Sequence, residues 1–402
     1  MPPGVLPDAK LLLAARGLRA FGDGYVSLLL PYYLTLLGYS ALEIGAIITA
    51  TLLGSGAMTL TIGFMAHRFR QRTLLEAAAL LMIATGIAFV LTADFWPLML
   101  IAAVGTINPS TGDVSVFLPL EHGLLVRTVG AEHRTALFAR YTLTGALIGA
   151  LGAQSAALPA LGQYWLALDA RHAVQIMFVF YGVLGLTCLC LYRRLSPQVE
   201  PRDDAPAIPL GKSKRMVYTL AAVFSLDAFA GGFAVQSLLA LWLFERFQLS
   251  IVAAGTIFFW TGILSAFSQL AAARLARRIG LINTMVFTHL PSSVFLILVP
   301  LMPNLPLALL FLMLRSALSQ MDVPARTSYV MAVVTPGERA AAASVTAVPR
   351  SLASAVSPMF AGWLLTLSPF GWPLVICGGL KIVYDLLLLG IFRHVRPPEE
   401  LH

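Results

Sequence analysis

The sequence contains little charge. Asp, Glu, Lys and Arg make up only 11% of its 402 residues, whereas hydrophobic residues make up 58%. A soluble domain carries about 25% charged residues, so these few charges cannot cover a water-facing surface, and most of the surface must face lipid. The apolar runs are about 20 residues long and do not alternate in polarity, which predicts membrane-spanning helices and excludes a barrel.

Cysteine, catalytic motifs and long polar segments are also scarce. The three cysteines, Cys188, Cys190 and Cys377, all fall in apolar runs, which argues against a disulfide framework or a metal site. The sequence has no H-E-x-x-H, no G-x-S-x-G and no phosphate-binding loop. Its longest polar segment, roughly 20 residues, is too short for a catalytic domain. We therefore expect no metal, no cofactor, no enzyme activity and no ATP-driven pumping.

Twelve apolar segments are long enough to span a bilayer. The first carries Arg16, Arg19 and Asp23 and lacks a small-residue cleavage site, so we interpret it as a charged first span and not as a signal peptide. Numbered from 1 to 12 in chain order, the predicted spans are residues 10–38, 41–66, 73–93, 97–120, 135–158, 173–192, 217–244, 250–276, 281–302, 305–331, 341–367 and 373–392.

Positive charge is concentrated on one side of these spans. The net charge of +8 comes mostly from the loops after spans 2, 4, 6, 8 and 10 and from the C-terminal tail. The positive-inside rule then predicts that both termini are cytoplasmic, which requires an even number of spans. No basic stripe with interleaved aromatic residues is present, so nucleic acid is not an expected partner. Arginine outnumbers lysine, which indicates a GC-rich genome and hence a bacterial inner membrane.

The two halves of the chain repeat each other. Residues 193–216 form a charged, proline-rich segment, which we interpret as a cytoplasmic linker between an N-terminal bundle, 1–192, and a C-terminal bundle, 217–402. The fold class we expect is an all-α membrane protein with two six-helix bundles related by a pseudo-two-fold repeat. The matching pairs, 208 to 210 residues apart, include Phe21 with Phe229, Gly24 with Gly232, Asp113 with Asp322, Arg140 with Arg350 and Gly152 with Gly362.

The loop after span 2 carries a family motif. Residues 63–72 read GFMAHRFRQR, which keeps Gly63, Arg68 and Arg72 of the pattern G-x-L-A-D-R-x-G-R-R but has a histidine in place of the acid. The loop after span 8 keeps Arg278 of the same pattern. With its twelve spans, linker and repeat, the chain resembles the major facilitator superfamily over essentially its whole length. The resemblance implies the major facilitator fold and a secondary transporter that works by alternating access, and we expect a monomer.

Ionisable residues inside spans mark cavities or buried partners, because each costs about 2.5–3.5 kcal/mol to insert. Arg19 and Asp23 lie four residues apart on span 1 and can pair. The resemblance implies that spans 1 and 7 line the central cavity, so Asp23 and Asp227 are the leading proton-binding candidates. The alternatives are a static pair of Asp23 with Arg19 and a structural charge at Asp227. The predicted proton and substrate cavity comprises Arg19, Asp23, Tyr32, Asn108, Asp227, Gln236 and Arg315.

Spans 4 and 5 combine a helix breaker with a possible gate. Pro109 is expected to break or kink span 4. Asp113 on span 4 and Arg140 on span 5 recur as Asp322 and Arg350, so we expect one acid–base pair in each half near the cytoplasmic side. Such pairs act either as gates that break and re-form or as static connections between helices.

Spans 9, 10 and 12 carry the remaining charges. Arg315 has no acid one turn away on its own helix, so it meets either a substrate anion or an acid on a neighbouring helix. Lys381 and Asp385 lie four residues apart and are expected to pair. His289 and His122 are isolated in the sequence, and we expect a structural role for each.

Two transport functions remain open at this point. Gly145, Gly149 and Gly152 in span 5 resemble an antiporter motif of the family. Together with the buried acids they favour proton-coupled efflux of a small amphipathic compound or metabolite. The buried arginines favour instead proton-coupled uptake of a small organic anion. In both cases the expected partners are a small-molecule substrate, protons and the lipid bilayer.

Overall fold

The protein is helical throughout the part that the structure describes. The computed structural model describes residues 6–65, 69–110, 115–130, 133–199, 210–211, 213–335 and 338–395. Every regular element in these ranges is a helix. The chain divides into two compact units by its contacts. Unit 1 is Met1–Asp204 with Gln236–Phe259, and unit 2 is Ala205–Val235 with Trp260–His402.

The helices are numbered in chain order. Unit 1 contains α1 (Asp8–Leu36), α2 (Ala41–Met65), α3 (Gln71–Leu91), α4 (Phe95–Val104), α5 (Phe117–Leu125), α6 (Arg134–Ser155), α7 (Leu158–Leu166), α8 (Ala170–Tyr192) and α10 (Gln236–Phe247). Unit 2 contains α9 (Lys214–Gly232), α12 (Leu281–Leu301), α13 (Leu305–Leu318), α14 (Asp322–Val333), α15 (Arg339–Leu367) and α16 (Trp372–Phe392). Helix α11 (Ile251–Ile279) begins in unit 1 and ends in unit 2.

Most of the predicted spans coincide with helices that can cross a membrane. Predicted spans 1, 4 and 11 lie outside this set. Helix α1 is charged, α4 has only 10 residues, and α15 carries arginine and two prolines. The chain is therefore a multi-pass membrane protein. Within the described ranges, the nine segments with sufficient length and hydropathy are Ala41–Ile62, Gln71–Leu91, Ala136–Leu166, Ala170–Tyr192, Lys214–Phe247, Ile251–Ile279, Leu281–Leu301, Leu305–Val333 and Trp372–Phe392.

Three of the predicted spans are interrupted. Span 4 divides into α4 and α5, which confirms the break predicted at Pro109, although the helix already ends before Gly105. Span 5 coincides with α6, and the break before Pro159 falls at its predicted end. Spans 7 and 10 were each predicted as one continuous span, but both are interrupted. Span 7 breaks after Gly232, the second glycine of a weakly helical pair, and span 10 breaks at Ser319.

The glycines beside Asp23 serve close packing. Helix α1 runs unbroken past them, so they do not open the backbone. A Cβ atom on Gly24 would lie well under 3.0 Å from the carbonyl oxygen of Gly149 on α6, so the two backbones are in contact. In unit 2, a Cβ atom on Gly232 would be equally close to the carbonyl oxygen of Ser354 on α15. Since Gly24 and Gly232 are repeat partners, both units join their first and fifth spans in the same way, as the predicted repeat requires.

Replacing Gly24 tests this packing. Gly24→Ala is expected to destabilise the protein by about 1–3 kcal/mol, because the new methyl group has to displace backbone atoms of α6. Gly56→Ala on α2 is the control, since its methyl group would meet nothing within 4 Å and should leave stability unchanged or slightly raised. Thermal unfolding of the purified protein in detergent measures both. Equal melting temperatures for the two variants would contradict backbone contact between α1 and α6.

Residues 236–259 pack within unit 1 although they follow the linker in the sequence. The side-chain amide of Gln236 donates to Ser27 Oγ at 2.7 Å, and Ser237 Oγ donates to the carbonyl oxygen of Ser27 at 2.6 Å. The backbone N–H of Ser237 donates to the carbonyl oxygen of Pro109 at 3.1 Å. The break after Gly232 separates this segment from α9. The division of the chain into domains 1–192 and 217–402 stays a prediction. The two units defined by contacts differ from it in residues 236–259, which belong to unit 1.

Glu338 holds the start of α9 in unit 2. Its carboxylate accepts the backbone N–H of Gly211 at 2.8 Å and that of Ser213 at 3.1 Å. Hydrogen bonds from the side chain of Ser213 and the backbone of Gly211 lower the pKa of Glu338 to about 2. The end of the segment predicted as a linker is therefore attached to the N-terminus of α15, outside the spans.

The pH dependence of this attachment is predictable. Because the pKa of Glu338 is depressed in the folded protein, its contribution to stability is fully present above the ordinary value of 4.5 and disappears as pH falls towards about 2. Glu338→Gln should therefore lower the melting temperature at neutral pH, and the difference from wild type should shrink only below about pH 4.5. A difference that vanishes already between about pH 7 and pH 5 would contradict the assignment.

Candidate functional site

Unit 1 contains a buried ion pair between two of its helices. Arg19 on α1 meets Glu121 on α5, with Nη2 and Oε2 2.5 Å apart, and the two side chains are only 2% and 0% exposed. Glu121 also accepts the hydroxyl groups of Tyr141 and Tyr192, the latter at 2.6 Å. The Arg19 guanidinium lies over the ring of Phe117, 4.3 Å from its centroid. With donors on both carboxylate oxygens, this cluster has the character of a static connection between α1, α5, α6 and α8.

Breaking this cluster on one side should be costly. Glu121→Gln leaves the Arg19 charge without its carboxylate, and removing one partner of a buried pair costs about 3–5 kcal/mol. The double variant Arg19→Gln with Glu121→Gln removes both charges and should be more stable than Glu121→Gln alone. Thermal unfolding and the yield of monodisperse protein measure the difference. If the double variant is no more stable than the single one, the buried charge is not the source of the loss.

The other predicted cavity residues of unit 1 lie on different helices. Asp23 is partly buried one turn beyond Arg19. Tyr32 packs its ring 5.8 Å from that of Phe244 on α10. Asn108 is buried in the nonhelical segment after α4, where its Oδ1 accepts the backbone N–H and the hydroxyl group of the residue two positions later. Gln236 is the residue that bonds Ser27, as described above. A substrate-contacting role for these residues stays a prediction.

Unit 2 contains a larger buried network centred on Asp227 of α9. Its Oδ1 accepts Lys381 Nζ of α16 at 2.6 Å, and its Oδ2 accepts Arg326 Nη2 of α14 at 2.8 Å. Arg326 also pairs with Asp322, one turn away on its own helix. His289 of α12 places Nε2 3.7 Å from the same Oδ1 of Asp227. One carboxylate thus contacts charged or titratable groups from three other helices.

His289 connects this network to a second buried acid. Its Nδ1 lies 2.9 Å from Asp385 Oδ1, and its Nε2 lies 3.3 Å from Lys381 Nζ. Because an ammonium group can only donate, the contact with Lys381 requires an unprotonated Nε2 and therefore a proton on Nδ1 that is donated to Asp385. The three carboxylates of this network, Asp227, Asp322 and Asp385, are thus held by Arg326, Lys381 and His289.

The structure pairs the unit 2 charges differently from the sequence prediction. Lys381 and Asp385 were expected to pair with each other, but Lys381 pairs with Asp227 and Asp385 with His289. His289 is isolated in the sequence, but in the structure it contacts Asp385 and Lys381. Its expected structural role stays a prediction. These partners are 92 to 154 residues apart in the chain. Spacing along one helix carries no information about such contacts.

The predicted gate pairs are only partly visible. Asp113 lies outside the described residues, and Arg140 is exposed on α6. Asp322 pairs with Arg326 in this structure and not with Arg350. Within the described part of the chain, Arg350 Nε is buried without a hydrogen-bond partner. A gating role for these residues stays a prediction.

The motif residues lie at the ends of helices. Gly63 belongs to α2, Arg278 is exposed near the end of α11, and Arg68 lies outside the described residues. Arg72 pairs with Glu76 at 2.9 Å and also donates to the carbonyl oxygens of residues 193 and 195 after α8. Arg72 therefore attaches the start of α3 to the beginning of the segment predicted as the linker.

Glu121 was missed by the sequence analysis. The predicted span 4 ended at residue 120, so Glu121 was counted as a loop residue. In the structure it is fully buried on α5. The available signal was its position in the apolar sequence FLPLEHGLL, where a lone acid requires a partner.

The fold and the buried charge clusters together define a polytopic membrane transporter. The sequence profile of the Major Facilitator Superfamily matches residues 12–314 and 221–402. The chain belongs to this superfamily, and its fold is the predicted one, with two six-helix bundles that repeat each other. It is therefore a secondary transporter of small molecules, and the evidence of family and fold indicates transport and not catalysis.

Related proteins cover nearly the whole chain. The uncharacterized membrane protein YJR124C of Saccharomyces cerevisiae is 25% identical over 423 residues, which span 96% of this chain and 94% of that protein. A bacterial homologue of the human lysosomal transporter Spinster superposes with a TM-score of 0.74 at 15% identity, covering 96% of both chains. A D-xylose–proton symporter superposes with a TM-score of 0.74 at 16% identity, covering 98% of both chains. At these identities, the two solved structures establish the fold alone.

Proposed function

We propose that this secondary transporter is driven by protons and that His289 is its proton-binding residue. The supporting observation is the shared oxygen of Asp227, which accepts Lys381 at 2.6 Å and has His289 Nε2 3.7 Å away. Histidine changes charge near neutral pH. A proton on Nε2 converts it from an acceptor to a donor and brings a second positive charge within 3.3 Å of Lys381 Nζ. The imidazolium then replaces Lys381 on Asp227.

The groups around His289 define the conditions of this exchange. Asp385 accepts the Nδ1 proton of His289 and so leaves Nε2 as the nitrogen that faces Asp227 and Lys381. Asp227 alone is a poor proton carrier, because two cations already occupy its oxygens. The charged and titratable groups on the helices of unit 2 around His289 include Asp227 on α9, Arg315 on α13, Asp322 and Arg326 on α14, Arg350 on α15, and Cys377, Lys381, Tyr384 and Asp385 on α16.

Two directions of transport are compatible with a proton-driven cycle. Export of a small amphipathic compound in exchange for protons is supported by the glycine-rich span 5 and its close packing on α1. Uptake of a small organic anion together with protons is supported by Arg315, which lines a cavity beside His289 and Lys381. We further propose a monomer in the bacterial inner membrane with both termini cytoplasmic, on the basis of the positive charge in the loops and the arginine-rich composition.

Transport by reconstituted protein tests the proton site. Proteoliposomes under an imposed pH gradient are given a panel of lipophilic cations and small organic anions, and proton movement is followed with a pH-sensitive dye. His289→Gln should lower gradient-driven accumulation at least about tenfold and retain downhill movement, because coupling and permeation are separate properties. His172→Gln, which removes an exposed histidine, is the matched control.

The same assay distinguishes the two candidate proton sites. Asp23→Asn is measured beside His289→Gln. If His289→Gln keeps full coupling while Asp23→Asn abolishes it, the proton site lies in unit 1 and the proposal for His289 is wrong. The substrate class that moves, and its direction relative to the protons, separates export from uptake.

A further inference from the structure

A small polar cavity lies between α12, α13 and α16 of unit 2. Its volume is about 60 Å³. Three of its lining residues carry or can acquire positive charge, and no carboxylate lines it. The remaining polar lining consists of hydroxyl groups and one amide, all able to donate hydrogen bonds. The lining residues are His289, Ser292, Ser293, Leu296, Arg315, Ser319, Gln320 and Lys381.

Arg315 differs from the two cations that hold Asp227. Lys381 and Arg326 each pair with a carboxylate. Within the described ranges, the guanidinium of Arg315 has neither an ion-pair partner nor a hydrogen-bond acceptor. Its backbone carbonyl accepts the N–H of Ser319 at 2.9 Å and the hydroxyl group of Ser292 at 3.5 Å. A charged side chain inside a span is normally paired or faces a cavity that holds its partner. Arg315 therefore places a guanidinium group at the wall of the cavity, where it can bind an anion through two N–H groups.

The break in span 10 adds to the polarity of this wall. Helix α13 ends at Leu318, and Ser319 and Gln320 line the cavity in the turn before α14. Interrupted spans in transporters commonly place polar backbone and side-chain groups at substrate or ion sites. The volume corresponds to about two water molecules at about 30 Å³ each. It therefore fits the head group of a carboxylate or phosphate and not a whole drug-sized molecule.

We propose that this cavity binds the oxyanion head group of the transported compound and that protonation of His289 strengthens the binding by releasing Lys381 from Asp227. The inference rests on the proposed proton site and identifies the substrate class as an anion. Lys381 Nζ is hydrogen-bonded to Asp227 at 2.6 Å, yet its side chain already lines the cavity. When the His289 imidazolium takes over Asp227 Oδ1, the ammonium group becomes available to the anion beside Arg315.

The charge balance gives the coupling. One proton enters the network on His289 Nε2, and one negative charge enters the cavity, so the region gains no net charge. Asp322, Arg326 and Tyr384 keep their places, and Asp385 continues to accept His289 Nδ1. By linkage, protons that favour the anion must themselves be bound more tightly when the anion is present. Proton and anion then move together, which corresponds to uptake by symport.

Direct binding measurements test the site without transport. The full-length purified protein in detergent is titrated calorimetrically with sodium benzoate and, separately, with inorganic phosphate. Benzamide, the uncharged analogue of benzoate, is the ligand control. We expect at least one of the two anions to bind about tenfold more tightly near pH 6 than near pH 8, and benzamide not to bind.

Four variants separate the contributions of Arg315 and His289 to anion binding. Arg315→Gln should weaken anion binding at least about tenfold, and Arg315→Lys should recover part of it, because the charge remains but the bidentate fork is lost. Arg246→Gln removes the same charge from an exposed position on α10 and should bind as wild type does. His289→Gln should retain Arg315-dependent binding and lose its pH dependence. Thermal unfolding of each variant confirms that it is folded.

The outcomes are distinct from those of the transport assay. If neither anion binds to wild type, or if folded Arg315→Gln binds as tightly as wild type, the anion site is wrong even when His289→Gln uncouples transport. If Arg315-dependent binding is present but equally tight at both pH values, the proposal that protonation of His289 releases Lys381 is wrong. Benzoate binding alone identifies a carboxylate site, and binding of phosphate alone identifies a phosphate site, both of which support the oxyanion cavity.

Discussion

The cost of a charge in hydrocarbon is the constraint on which the arrangement of this protein depends. Each intramembrane charge must find a partner or a polar cavity, because lipid offers none. Arg19 meets this requirement with Glu121 and two tyrosines, whereas Asp227 meets it with Lys381 and Arg326. These partners come from different helices of one unit. The charges therefore act as specific contacts that fix which helices are neighbours, a role that apolar side chains in lipid fulfil less selectively.

The two units carry the acid and the base of this ion pair on opposite helices. Arg19 and Asp227 lie 208 residues apart, the same separation as Gly24 and Gly232 in the repeat. In unit 1 the base is on the first span and pairs with an acid on α5; in unit 2 the acid is on the first repeated span and pairs with Arg326 on α14. The same connection between corresponding spans is thus retained with reversed charge. In unit 2, however, the acid of this pair also contacts a lysine and a histidine.

Hydropathy and repeat were sufficient to predict the fold, since each span is a local property of about 20 residues. The pairing of charges was not predictable in this way. The rule that residues four apart interact suggested Lys381 with Asp385, but an in-helix pair contributes only about 0.3–0.5 kcal/mol. Tertiary packing offers closer and more buried partners and overrides it, as for Asp385 with His289. The interruption after Gly232 was missed although its weakly helical glycine pair is a local signal.

A histidine beside the central carboxylate makes unit 2 chemically different from unit 1. Glu121 accepts the Arg19 guanidinium and two tyrosine hydroxyl groups. Asp227 Oδ1 instead faces an ammonium group at 2.6 Å and an imidazole nitrogen at 3.7 Å. A proton on that imidazole would place two positive charges beside one oxygen, so in the proposed cycle the proton decides which of the two groups holds Asp227. Conformational coupling requires such a two-state element, and in the described residues it coincides with the wall of the Arg315 cavity.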